Sequence, residues 1–305
     1  MAISSNDDHR PMKRVMLALT VAVIVFAAAT AIGWAWFLHR NKCLVEENKS
    51  QGRTVEEIAK TVSFQSTEAG LDLWNTPQGG IWMVHGDKEL PFLISEQERD
   101  IYEPAGHEVR RGDVVLDCGA NIGVFVRKAL SRGAGLVVAI EPSPKTLEAL
   151  KRNFAEEIQA KRVIVYPKGV WDHDDTLDLK LDQANEGGDS LVMGGASAAT
   201  VRVPLTTIDK LVAELGLPRV DFIKMDIEGA EKPALKGATG TIKRFLPRMS
   251  ISSEHLDDDD TAIPALVSSI EPRYTVRPCD CVQRSFWTAK PLVLAFDAIA
   301  RENAR

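Results

Sequence analysis

Cysteine is scarce: four in 305 residues, at positions 43, 118, 279 and 281. They are too few and too scattered for a disulfide framework. Cys118 falls in an apolar run and reads as a buried thiol. Cys279-Asp280-Cys281 has no second Cys or His pair at ligand spacing, so no metal is expected. Basic charge is also short. Lys and Arg number 37 against 43 Asp and Glu, a net charge of −6. That weighs against a nucleic-acid partner, which would want a basic stripe, and none is expected. Internal repeats are absent, and the single acidic run, Asp257–Asp260, reads as a solvated loop whose last acid caps a helix. With 45% hydrophobic residues the chain has a globular composition.

Long apolar runs are absent save one. Val15 to Leu38 carries no charged residue over 24 positions, about 36 Å as a helix and enough to cross a bilayer core of roughly 30 Å. Arg10, Lys13 and Arg14 precede it, and Trp34 and Trp36 stand at its far end, where interfacial aromatics belong. A cleaved signal peptide would use Ala29-Thr30-Ala31, but hydrophobicity continues to Leu38, so a retained single-pass anchor is expected. Flanking basic residues are nearly balanced and do not set the orientation.

The organisation that follows is a tail over 1–14, a transmembrane helix over 15–38, a linker over 39–63, a cap over 64–110 and a catalytic domain over 111–305. Turn signals at Thr76–Gly80 and Gly86-Asp87 between short apolar runs predict a β-hairpin. Ser95 to Tyr102 reads as a helix capped by Ser95, with Glu98 at the capping-box position. From Asp113 strand and helix alternate: Val114–Cys118, Leu136–Ile140, Arg162–Tyr166, Val220–Met225 and Arg248–Ser253 are apolar strands separated by helical stretches. This predicts an α/β, Rossmann-like, doubly wound parallel sheet. A closing pair, Tyr274–Pro278 and Pro291–Phe296, suits an antiparallel hairpin at its edge.

The first strand ends in Asp117-Cys118-Gly119-Ala120-Asn121-Ile122-Gly123. A dinucleotide fingerprint wants glycine where Asn121 and Val124 stand, so a pyrophosphate would meet side chains instead of bare backbone. A nucleotide without a pyrophosphate fits better. Asp117 then accepts from an ammonium group or holds the turn. Eighteen residues after Gly123, Glu141 closes the second strand, where a carboxylate takes ribose hydroxyls. The fourth strand ends in Met225-Asp226-Ile227-Glu228-Gly229, which faces the same crevice across the switch point. Asp226 and Glu228 there are candidate catalytic groups, able to orient or deprotonate a hydroxyl, or else caps of the next helix. His255, after the fifth strand, is a candidate base.

Together these stretches resemble the FkbM family of S-adenosylmethionine-dependent methyltransferases. VVLDCGANIGVF (Val114–Phe125), VVAIEPSPKTLEALKRN (Val137–Asn153), VPLTTIDKL (Val203–Leu211) and VDFIKMDIEGAEKPALKGA (Val220–Ala238) carry the resemblance. It implies a seven-stranded sheet with the last strand antiparallel, S-adenosylmethionine as cofactor, and methyl transfer usually to oxygen. It carries Asp117, Gly119, Asn121, Gly123 and Glu141 over as cofactor residues, and offers Trp171 and Asp172 beside the adenine. Glu98 and Tyr102 match an upstream Glu-x-x-x-Tyr pattern at the mouth of the site, and Asp226 borders the cofactor as well. Gly187–Leu191 sits at a Ser-rich segment, and the match fades past Glu254.

The expected function is a membrane-held methyltransferase acting on a hydroxyl of a sugar, glycan, lipid-linked molecule or secondary metabolite. The competing readings are an NAD-dependent oxidoreductase or epimerase, and a non-catalytic membrane scaffold on the same fold. Because the cofactor is cytosolic, the catalytic domain is expected in the cytoplasm and the N-terminus outside.

Overall fold

The computed structural model describes residue 30 and residues 55–181, 189–193, 199–277 and 291–298. The expected membrane span over 15–38, Cys43 and the Cys279–Cys281 pair lie outside the described residues. Among the described residues no helix is long and apolar enough to cross a membrane.

An antiparallel meander comes first: β1 (Ser63–Glu68), β2 (Leu71–Thr76) and β3 (Gly79–Val84). The helix α1 (Leu90–Glu98) follows. Then come β4 (Val114–Cys118), α2 (Val124–Ser131), β5 (Leu136–Ile140), α3 (Pro144–Asn153), α4 (Ala155–Gln159), β6 (Val163–Tyr166), β7 (Gly169–Val170), β8 (Asp175–Leu181) and β9 (Ala199–Thr206). The chain continues through α5 (Ile208–Glu214), β10 (Phe222–Met225), α6 (Glu231–Lys236), α7 (Thr239–Phe245), β11 (Arg248–Ser252), α8 (Asp259–Ile270), β12 (Tyr274–Val276) and β13 (Val293–Ala298).

Seven strands form the central sheet in the order β12-β13-β11-β10-β4-β5-β6. The five from β11 to β6 are parallel, and β13 runs antiparallel to both neighbours. Side chains alternate across the sheet, so β4 sends Leu116 and Cys118 into one core and Val115 into the other. Both faces are covered, which is why the central strands read as unbroken apolar runs. The closing strands do pair, but β13 slots inside and the earlier β12 takes the edge. Burial explains this: Val293–Phe296 are all buried, whereas Thr275 and Val276 are exposed.

Two local expectations change. The helix expected from Ser95 starts at Leu90, because Pro91 presets its first turn and Asp87 accepts from the Glu89 N–H at 2.9 Å. Ser95 is therefore a fully buried mid-helix residue, not a cap, and Glu98 is the last helical residue. The helical stretch after β5 is broken at Phe154, whose φ of −127° leaves the helical region.

The meander and α1 sit on the sheet domain through a small core that joins Ile81, Met83 and Ile94 to Ile122 and Ala149. Asn153 stitches the two together. Its amide oxygen accepts from Trp82 N at 2.7 Å, and its amide nitrogen donates to the carbonyls of Trp82 and Ile122, both at 2.9 Å. This docking sets α1 beside the carboxyl ends of the parallel strands.

Candidate active site

The carboxyl ends of β4, β5, β10 and β11 open into one crevice of about 1260 Å³, counting its mouth. Gly119, Asn121, Glu141, Asp226, Glu228 and His255 all line it, and α1 walls one side with Phe92, Leu93 and Glu96. This is the position where open α/β sheets bind ligands.

The loop after β4 is built by close approach. Gly119 has φ +78°, and a Cβ there would lie 1.8 Å from the Asp226 carbonyl oxygen. Only glycine lets the first and fourth strands' loops touch. Gly123 is glycine for another reason. Its missing side chain would collide with Phe154 at 2.1 Å, so it serves helix packing and does not line the crevice. Asn121 adopts φ +49° and turns its own N–H to Glu141, which accepts it at 2.9 Å. The second oxygen of Glu141 accepts from Ser143 N at 2.8 Å. Burial pushes the Glu141 carboxyl up to about 7 against the pull of these two N–H groups. The carboxylate is thus held rigidly at the crevice wall with lone pairs to spare.

Beneath the floor lies Asp117, fully buried and reached from the crevice only through Lys224. The Lys224 ammonium stands 3.3 Å from Asp117 and 4.0 Å from Asp226, and donates to the Gly119 carbonyl at 2.8 Å. Burial raises Asp117 to about 6, with Lys224 opposing. Asp226 is different. Burial works against its charge, but Lys224, His255 and the Tyr102 hydroxyl, which donates at 2.7 Å, hold it below its ordinary value. Tyr102 is itself fixed, since its carbonyl accepts from Ser250 Oγ at 2.5 Å.

Glu228 has φ +53°, an uncommon conformation for a non-glycine residue, and its carbonyl accepts from Ser190 Oγ at 2.6 Å. Burial raises its carboxyl to about 7. His255 Nδ1 meets Glu231 at 3.0 Å, while Nε2 stands 3.5 Å from both Asp226 and Glu228. Burial alone would lower this imidazole, but Glu231, Asp226 and Glu228 outweigh it and raise it to about 10. The acids around it thus favour the protonated form of His255.

Besides Asp117 and Gly123, three more expected residues stay outside the lining. Trp171 packs on the small core of β8 and β9 with Leu179, Val203 and Leu205. Asp172 faces solvent and pairs with His173 at 2.5 Å. The turn after β6 reaches the crevice through Lys168, Gly169 and Val170 instead. Glu98 is also absent from the lining, since at 100° per residue it points away from the Glu89, Phe92, Leu93 and Glu96 stripe. Sequence reasoning passed over Glu96 and Lys224. Burial, followed by the charge of Asp226, raises Glu96 to about 8. A helix read from Leu90 would have put Glu96 on the crevice face. Lys224, a lone cation in the buried strand FIKM, was itself a signal that a carboxylate must lie beside it.

A doubly wound sheet of this order, with acids at the carboxyl ends of its first, second and fourth strands, is an α/β fold of the kind that binds ligands at the carboxyl edge of the sheet. The Methyltransferase FkbM domain matches residues 117–273, and the chain belongs to that family of methyltransferases. It is 28% identical to the 31-O-demethyl-FK506 methyltransferase FkbM of Streptomyces tacrolimicus over 49% of this chain and 68% of the relative. It is 25% identical to the hexuronic acid methyltransferase AglP of Haloferax volcanii over 48% of this chain and 58% of the relative. A crystal structure of methyltransferase FkbM from Methylobacillus flagellatus aligns at 22% identity with a TM-score of 0.45, over 68% of this chain and 53% of that one.

Proposed function

We propose that this chain transfers the methyl group of S-adenosylmethionine to a hydroxyl oxygen of a sugar, glycan, lipid-linked molecule or secondary metabolite. The observation that carries the reading is the convergence of Gly119, Glu141 and Asp226 on one crevice. The donor set fits that cofactor. Glu141, fixed by two N–H groups, has free lone pairs for vicinal ribose hydroxyls. The acidic wall of Glu96, Asp226, Glu228 and Glu254 suits a cation and repels a pyrophosphate. When bound, S-adenosylmethionine supplies a methyl group on a sulfonium.

This chain's residues then handle the acceptor. Asp226, kept ionised by Lys224 and Tyr102, accepts a hydrogen bond and aims the hydroxyl. So acidic a carboxyl is a poor proton sink. Glu228, at about 7, is matched to take the proton near neutral pH. Alignment does most of the work and the base assists. Two relatives are methyltransferases of 31-O-demethyl-FK506 and of hexuronic acid, which supports the acceptor class. The uncharged run over 15–38 supports an anchor that holds the domain at the cytoplasmic face of a membrane. A reporter fused after Arg305 that reads as external would overturn that placement.

The decisive test is calorimetry of the full chain with S-adenosylhomocysteine, followed by radiolabelled methyl transfer to a panel of hydroxylated acceptors. Binding is expected, and Glu141→Ala should weaken it at least tenfold. Equal affinity in that variant, or no binding by the wild type, refutes the assignment.

A further inference from the structure

We propose that Asp226, Glu228 and His255 hold one divalent metal ion, of Mn²⁺ or Zn²⁺ character, that activates the acceptor hydroxyl; the activation half rests on the methyl-transfer reading above. The three ligand atoms lie within 4.8 Å of one another. They come from the loop after β10 and the loop after β11, which the parallel sheet brings side by side.

The His255 side chain is only 9% exposed. Its Nδ1 faces Glu231 at 3.0 Å, which leaves Nε2 aimed into the crevice. That nitrogen stands 3.5 Å from Asp226 Oδ1 and 3.5 Å from Glu228 Oε2. Such distances exceed a good N–H···O hydrogen bond. They match a shared ion: two ligands about 2.1 Å from one metal at a roughly tetrahedral angle lie about 3.4 Å apart. Glu231 completes the pattern. A metal-bound imidazole gives its other N–H to a carboxylate that fixes the tautomer. Glu231 is 1% exposed; its Oε1 also accepts from Ile227 N at 2.9 Å, and its Oε2 is buried with no hydrogen-bond partner, so this acid is fixed against His255 and shielded from solvent.

Charge argues the same way. Glu96 and Glu254 share the wall with Asp226 and Glu228, and the cations beside them are His255 and a Lys224 that Asp117 already shares. A divalent ion supplies two and displaces the imidazole proton. One nitrogen and two carboxylate oxygens suit Mn²⁺ or Zn²⁺ better than Ca²⁺ or Mg²⁺. Three protein ligands leave coordination positions open for the acceptor hydroxyl, whose O–H is acidified by the ion. The hydroxyl proton passes to the second carboxylate oxygen of Glu228, the one that does not hold the ion. The oxygen forms its bond to the methyl carbon as the carbon–sulfur bond breaks, and the sulfonium leaves as a neutral thioether.

The test is electron paramagnetic resonance of Mn²⁺ titrated into the chelator-stripped full chain. Loss of the free-ion signal should report about one bound ion per chain. His255→Ala and Glu228→Gln should each weaken binding at least tenfold, and Glu231→Gln by about tenfold through its hold on His255. Thermal melts confirm that each variant is folded. A folded wild type that takes up no Mn²⁺, or an affinity unchanged by His255→Ala, overturns the site. Calorimetry with S-adenosylhomocysteine in parallel separates the two claims. Donor binding without Mn²⁺ uptake sinks the metal alone, whereas Mn²⁺ uptake without donor binding upholds the metal and sinks the methyl-transfer reading.

Discussion

Replacing Lys224 by methionine should unfold the protein earlier, and more so at high pH. The ammonium is 6% exposed and lies 3.3 Å from Asp117, which is fully buried, and 4.0 Å from Asp226. Removing one partner of a buried ion pair costs about 3–5 kcal/mol, because the other charge is left without compensation. Protonation of Asp117 offers a partial escape, so a loss of about 3 kcal/mol is expected at pH 7, or a fall in Tm of roughly 6–12 °C for a domain of this size. The pH dependence follows from proton binding. In the wild type burial lifts Asp117 from 3.8 to about 6. The folded state holds the extra proton between those values, so stability falls as pH rises through that window and is flat above it. Without Lys224 the folded value moves higher, and the decline continues past pH 6. The Tm gap between variant and wild type should therefore be wider at pH 8 than at pH 5. Adding Asp117→Asn to Lys224→Met should recover part of the loss, since the acid that needed the cation is gone. A gap that is equal at the two pH values, with no recovery in the double variant, refutes the pairing as the source of stability.

Two further outcomes are expected. The rate at low acceptor concentration should rise with pH through about 7 as Glu228 loses its proton, and Glu228→Gln should flatten that limb; a pH profile untouched by the substitution assigns the titration elsewhere. Gly119→Ala should destabilise the chain by about 2–3 kcal/mol and weaken donor binding at least tenfold, since its Cβ would meet the Asp226 carbonyl at 1.8 Å. The control is Gly86→Ala, at φ +87° with open space around it: a loss of about 1 kcal/mol with donor affinity intact, so equal effects at the two glycines discredit the close approach.

The parallel strands were legible because each is largely buried and reads as a mainly apolar run between helical stretches. Val114–Cys118 needed no more than that. Strand β1 was not legible, because all six residues of Ser63–Glu68 are exposed and its pairing with β2 leaves no hydrophobic signature. In the site, the residues that end strands were readable from the switch-point rule: Gly119, Glu141 and Asp226 stand where it places them. The misplacements were matters of facing. Glu98 sits on the wrong side of a helix that begins five residues earlier than its best-looking cap. Trp171 lies beyond the point where the chain leaves the crevice to pair with β9, its N–H donating to the Thr206 carbonyl at 2.8 Å. Gly123 was found for a turn, which its φ of +93° bears out, and is needed for Phe154 as well. Spacing alone cannot separate a glycine that admits a ligand from one that admits a phenyl ring.

The acids of the crevice gain their meaning from crowding. Glu96 at about 8, Glu141 and Glu228 at about 7 and Asp117 at about 6 all sit near neutrality. Each is pushed there chiefly by burial. At neutral pH the wall is thus only partly charged and does not tear the loops apart by repulsion. A cation that enters favours the ionised form of every one of them, so the wall gains negative charge as it gains a guest. An anion does the reverse and finds no compensating lysine beyond Lys168 and the already committed Lys224. The same chain that lacks the second and third glycines of a pyrophosphate loop therefore also lacks the field to hold one. On the proposed methyl-transfer reading, backbone shape and electrostatics would both favour a positively charged nucleoside, and once the methyl group leaves, the neutral thioether would lose the attraction that held its precursor.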